Sequence, residues 1–247
     1  MSFGVLSAFA AMVLVTSFIA GIFGMAGGMI LMGGLLLIMP VASAMVLHGI
    51  TQLTSNGARA WLWRSHIHWR LTTRYMLGLL IAAVIFVFLN YVPDRRVVYV
   101  VLGLIPFLPL VISAESVPRA TRPGGAESCG FICTVLQLLS GVSGPTLDLF
   151  FVNTGIGRRA IVATKATCQV LTHLTKLLYF GALVGGADGE LVSSTVITVA
   201  IAFAVIGTWA SRHVLERMSD TGFRRYTQWL MMAIGAAYLL QGGWGFV

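Results

Sequence analysis

A chain of 247 residues with 57% hydrophobic side chains, only 10% charged ones and a mean hydropathy of +0.90 is far from a soluble domain, which carries about 25% charge. This composition excludes a water-soluble enzyme or nucleic-acid-binding module. The net charge of +8 follows from topology, because most basic residues sit in short loops between apolar stretches.

Each crossing takes roughly 20 apolar residues, so the length holds about seven or eight segments and no separate soluble domain. Residues 3–23 form the first. It has no basic flank and no small-residue cleavage signal, so it is expected to stay in the mature protein. It closes on Gly21-Ile-Phe-Gly24-Met-Ala-Gly27-Gly28, and a shorter apolar run, Met29–Met39, stops at Pro40. The second run is too short to cross, so the glycine cluster predicts a broken or re-entrant helix. Such backbone is tolerated at membrane depth only when it is buried in protein or lines a cavity. Close helix packing through small residues would use the same glycines, and the two readings stay open.

Ala42–Trp63 is the segment with most to say. Its polar residues His48, Gln52, Asn56 and Arg59 are spaced four, four and three apart, so on a helix they share one stripe. A loop from Arg64 to Arg70, running on to Arg74, leads to a span at Met76–Tyr91. Pro93–Arg96 turns the chain, and Val97–Ser113 crosses back with Pro106 and Pro109 as expected kinks. Residues 115–127, rich in Pro, Gly and Arg, are the predicted cytoplasmic linker between a first repeat at 1–114 and a second at 128–247.

The pattern then restarts. Ser128–Leu139 and Thr146–Thr154 are short runs flanking Ser140-Gly141-Val-Ser-Gly144-Pro145, so Gly-x-x-Gly precedes the striped helix in both halves. Ile161–Leu183 carries the second stripe, Lys165, Gln169, His173 and Lys176, with the same spacing. Gly185–Glu190 is an acidic turn, Leu191–Ser211 a span, Arg212–Arg225 a basic loop and Tyr226–Phe246 the last span. The expected fold is all-α and polytopic, with two repeats, each a broken or re-entrant element plus three transmembrane helices.

Counting arginines orients the chain. With loop 64–74 in the cytoplasm, that side collects Arg64, Arg70, Arg74, Arg119, Arg122, Arg158, Arg159, Arg212, Arg217, Arg224 and Arg225, against Arg95 and Arg96 outside. The positive-inside rule then places both termini outside a multi-pass inner-membrane protein and makes the repeats inverted.

Polar groups inside spans are costly and therefore functional candidates. Arg59, Lys165 and Lys176 are the cations of the predicted spans, and snorkelling to the interface is the alternative for each, most readily for Arg59, four residues before Trp63. Gln52, Asn56, Gln169 and His173 fall mid-helix, suited to donating to substrate oxygens or to bonding between helices. Helices starting at Gly24, Gly27, Gly28 and Gly144 would add free N–H groups and a positive dipole end, which favour an anion. Asp148 either neutralises a lysine or carries a coupled proton, and His48 and His173 are further proton candidates. Cys129, Cys133 and Cys168 read as packing residues, and His66 and His68 as solvated loop residues. No cofactor and no metal site are expected.

The Gly21–Gly28 turn followed by Gln52, Asn56 and Arg59 resembles the sulfite exporter TauE/SafE family, also called the toluene sulfonate uptake permeases. Gly141, Gly144, Lys165, Gln169 and His173 resemble its second repeat. In the second half Pro145-Thr-Leu-Asp148 stands where a further glycine run is common. The resemblance implies transport of sulfite, sulfonates or related organosulfur anions. The expected partners are a small anion and membrane lipid, with no nucleic acid, and a homodimer as the candidate assembly. An anion channel is the alternative. An intramembrane enzyme would need a nucleophile–base pair or a metal cluster, which the scattered His, Cys and Asp do not supply.

Overall fold

The computed structural model describes residues 3–23, 25–113, 115–152, 154–184, 192–215 and 220–243, and among these every regular element is helical. Helix α1 (Phe3–Phe23) and α2 (Ala26–Ile38) flank the first glycine break. Pro40, with its φ of −58°, precedes α3 (Val41–Leu62), and a 3-10 turn at Arg64–His66 leads to α4 (Trp69–Leu89). Asp94 starts α5 (Arg95–Leu104) by accepting the Val97 N–H at 2.8 Å. Pro106 and Pro109 then break the helix into a 3-10 turn (Ile105–Phe107) and the single turn α6 (Leu108–Val111). The second half comprises α7 (Gly125–Ser140), α8 (Gly144–Phe151), α9 (Arg158–Leu177) with a π-helical continuation at Leu178–Val184, α10 (Ser194–Leu215) and α11 (Asp220–Gly243).

Among the described residues, three stretches are long and apolar enough to cross a membrane: Gly4–Ile22, Trp69–Leu89 and Ser194–Ser211. Helices α3 and α9 have the length, but their polar stripes lower their hydropathy. Several helices also run past the predicted spans. Arg70 and Arg74 belong to the first turns of α4, Arg158 and Arg159 to α9, and Gly125–Glu127 to α7. Hydropathy marks where the lipid ends, whereas a helix ends where its backbone finds a cap. The predicted acidic turn at 185–190, and 216–219 of the basic loop, lie outside the described residues.

Hydrogen bonds settle the form of the broken elements. Ala120 N donates to the Phe150 carbonyl at 2.8 Å, so the end of α8 returns to the linker from which α7 left. The pair α7–α8 is therefore a re-entrant hairpin. In the first half, Arg95 Nη2 donates to the Met39 carbonyl at 3.2 Å, which places the end of α2 beside the α4–α5 turn. Helix α1 runs alongside α10, with Gly21 against Ser211 and Gly207 against Leu14 and Phe18. Ser55, far along α3, meets Thr208 of α10 at 3.1 Å. Thus α1 descends from the Met39 end beside α3 and α10, and α2 climbs back. The two hairpins open at opposite ends.

Helix pairing repeats the same relation. Contact of α1 with α10 is matched by α7 with α4, and α3 with α10 by α9 with α4, while α3 packs on α9 and α5 on α11. Exchanging α1–α5 for α7–α11 maps this set onto itself. An apolar face of α4, including Leu77, Leu80, Ile81, Val84 and Phe88, points outward, with Phe88 85% exposed. Such a face requires lipid as its solvent. The three cysteines are buried and unbridged.

Candidate functional site

The tips of the two hairpins meet in the middle of the bundle. A side chain at Gly144 would run into Met25, and one at Gly141 would lie 2.9 Å from the Met32 sulfur and 3.0 Å from that of Met45. Gly141 ends α7 with φ 80°, a left-handed backbone that glycine takes without penalty. Neither α2 nor α8 has a side-chain N-cap, so the first-turn N–H groups of both are left for other partners.

Helices α3 and α9 cross beside these tips, and their stripes face each other. Gly49 makes the approach possible, since a Cβ there would lie 3.3 Å from Lys176 Cε and 2.9 Å from Leu177. Lys176 is fully buried, its Nζ 2.7 Å from His48 Nδ1 and donating to the Gly141 carbonyl at 3.1 Å. His48 Nε2 donates to the Gly28 carbonyl at 3.0 Å, which leaves Nδ1 as the acceptor from Lys176. This removes the snorkelling alternative for Lys176.

His173 lies with its ring 5.7 Å from that of His48, and its Nδ1 meets Gln137 Nε2 at 2.9 Å. Gln137 Nε2 also donates to the Gly141 carbonyl at 2.9 Å, while Ser143 Oγ donates to Gln137 Oε1 at 2.8 Å. Gln137 thus pins the second tip to α9. Sequence reasoning passed over Gln137 and Ser143, although a lone amide within the apolar run 128–139 is the same signal that marked the stripes.

Toward the other end of the crossing, Lys165 forms an ion pair with Asp148 of α8, and it lies eleven residues from Lys176 on α9 as Arg59 lies eleven from His48 on α3. Arg59 Nη1 donates to Asn56 Oδ1 at 3.5 Å, and Asn56 Nδ2 bonds back to the Gln52 carbonyl at 2.9 Å. Gln52 packs over α2, its Nε2 3.2 Å from where a Cβ of Gly28 would sit.

Gln169 is 9% exposed and its Nε2 has no partner; the buried hydroxyl of Thr146 has none either. Partners along α9 locate Gln169. Lys176 meets Gly141, His173 meets the Gln137 that holds Ser143, and Lys165 meets Asp148. Gln169, between His173 and Lys165, falls level with residues 144–146, the uncapped first turn of α8.

The stripes therefore place two basic pairs, His48 with Lys176 and Lys165 with Arg59, about 16 Å apart along the crossing, from a rise of about 1.5 Å per residue. Amide and imidazole groups and two helix N-termini lie between them. A Cβ at Gly27 would meet Thr16 and Ala20 of α1, so the glycine allows the close α1–α2 approach. Gly24 lies outside the described residues. No group of three or more His, Cys, Asp or Glu with metal-binding arrangement occurs among the described residues.

The family model of the sulfite exporter TauE/SafE family matches residues 8–238, nearly the whole chain, and the chain belongs to that family. It is a family of membrane transporters, not of enzymes. Comparison with curated proteins and with solved structures returned no match.

Proposed function

We propose that the protein carries a small sulfur oxyanion, sulfite or a sulfonate, across the inner membrane by alternating access. The observation that carries this reading is the α3–α9 crossing, where buried basic groups and unpartnered donors converge on two uncapped helix starts. Among the described residues the site has one carboxylate, already committed to Lys165, so it has an excess of positive charge that an anion offsets. The substrate-binding set is His48, Gln52, Asn56, Arg59, Lys165, Gln169, His173 and Lys176, with the backbone of Gly24, Gly28 and Gly144. Gly27 belongs to the same backbone set and also allows the close α1–α2 approach.

Alternating access is supported by the inverted hairpins, since a rocking motion of one half against the other exposes the shared centre to either end in turn. Complete burial of Lys176 favours a carrier over an open channel. The repeats span 1–114 and 128–247, and both termini lie outside.

Thermal stability of the purified protein, followed across sulfite, methanesulfonate, sulfate and acetate, tests the reading. Sulfite or the sulfonate should raise Tm, because a ligand that binds only the folded state stabilises it. Sodium and potassium salts of one inert anion should give the same Tm. A cation-dependent shift that competes with sulfite would overturn the anion site.

A further inference from the structure

The two lysines of the α9 stripe have opposite surroundings. Lys165 has a fixed counter-charge in Asp148. Lys176 is 0% exposed, and its partners are one imidazole nitrogen and one carbonyl, neither of which carries a negative charge. The groups facing it are His48 from α3, Gln137 and the Gly141 carbonyl from α7, and His173 on its own helix. Among the described residues no carboxylate pairs with it.

A buried ammonium without a counter-charge is expensive even after relaxation. The described residues supply no fixed anion here, so the charge on Lys176 is stable only while something negative sits beside it. The amine, in contrast, still donates to His48 Nδ1 and the Gly141 carbonyl. We propose, resting on the anion-carrier reading, that Lys176 is the proton-coupling residue. It takes up one proton as the anion enters and releases it as the anion leaves, so that the two travel together.

His48 is placed to relay that proton. Its Nδ1 touches the lysine, and its Nε2–H bonds to the α2 backbone of the first hairpin. Rocking of that hairpin would break the Gly28 contact and free Nε2 for exchange with water. Asp148, which also suggests itself as a proton carrier, is bound to Lys165 and serves instead as a fixed charge.

The test uses the full-length protein in proteoliposomes loaded with a pH-sensitive dye, with anion flux followed in parallel. The probes are sulfite and methanesulfonate; the latter is the anion of a strong acid and brings no proton of its own. Wild type should move protons with methanesulfonate in a fixed ratio. Lys176→Arg, which holds its proton at all accessible pH values, should carry no protons per anion moved, whatever its rate of anion exchange. Asp148→Asn should keep the wild-type proton-to-anion ratio, whatever its rate.

Proton movement at the wild-type ratio in Lys176→Arg overturns the proposal. So does loss of proton movement with anion flux retained in Asp148→Asn, which decides the matter even where Lys176→Arg fails to fold. Anion flux in wild type without proton movement overturns the coupling and leaves the anion carrier standing. Failure of wild type to move either anion removes both.

Discussion

At the scale of single residues, Gln137 and Gln169 separate structure from ligand. Gln137 uses both ends of its amide, on Ser143, His173 and Gly141. Gln137→Ala strands buried partners, each costing about 1–3 kcal/mol, so Tm should fall clearly. Gln169 Nε2 has no partner to strand. Gln169→Ala should therefore fold with nearly wild-type Tm, while sulfite affinity falls roughly ten- to hundred-fold, the worth of one charge-assisted contact. Calorimetry and binding on the two variants distinguish the roles. A large Tm loss in Gln169→Ala with intact binding would make it a packing residue.

At the scale of elements, the glycines differ in what they are for. Gly57 lies inside α3 with open space where a Cβ would go. Gly57→Ala should stabilise the helix by about 0.5–1 kcal/mol, the usual cost of a mid-helix glycine. Gly141→Ala should lose about 1–2 kcal/mol to its left-handed backbone and must also displace Met32 and Met45. Denaturation of the two variants under one condition should move in opposite directions, and equal behaviour would deny the tip its tight packing. The helices themselves were legible in the sequence, because α1, α2, α3 and α9 follow from apolar runs and a spacing of four, four and three. The stripe residues were legible for the same reason, since a polar side chain in an apolar run has few explanations. Which partners they take was not. The hydrogen bond from Ala120 to Phe150 that makes α7–α8 a hairpin, and the pairing of Lys176 with His48 across 128 positions, are set by tertiary packing that no local pattern encodes. Helix ends were missed wherever arginines continued a helix beyond the lipid.

At the scale of the molecule, the two ends of the bundle carry different chemistry, and this makes the proposed orientation testable. One end gathers the 64–68 turn, the linker and the start of α9. Arg74 pairs with Glu127 at 2.7 Å, the His68 N–H donates to Thr164 at 2.9 Å, and Arg159 stacks 5.6 Å from the Trp63 ring. Trp61 and Trp69 are exposed at the same level, as expected of a membrane-interface belt beside a basic surface. The opposite end holds Met39, Tyr91 and the close of α11. There Arg95 and Arg96 are tied to the Met39 and Gly242 carbonyls, at 3.2 and 3.1 Å. We propose from the excess of arginine that the first end is the cytoplasmic one. Single cysteines at Ser65 and Ser116, in a background where the buried native thiols are replaced, should therefore be labelled by an impermeant maleimide only from the cytoplasmic side. A cysteine at Val92 should be labelled only from the periplasmic side. Val92 is 41% exposed and lies beyond the α4 terminus, so reagent reaches it without a conformational change. Labelling of Ser65 and Val92 from one side would contradict the crossing of α4 itself. Opposite labelling with the sides exchanged would keep the inverted hairpins, reverse the direction in which each opens, and place both termini in the cytoplasm.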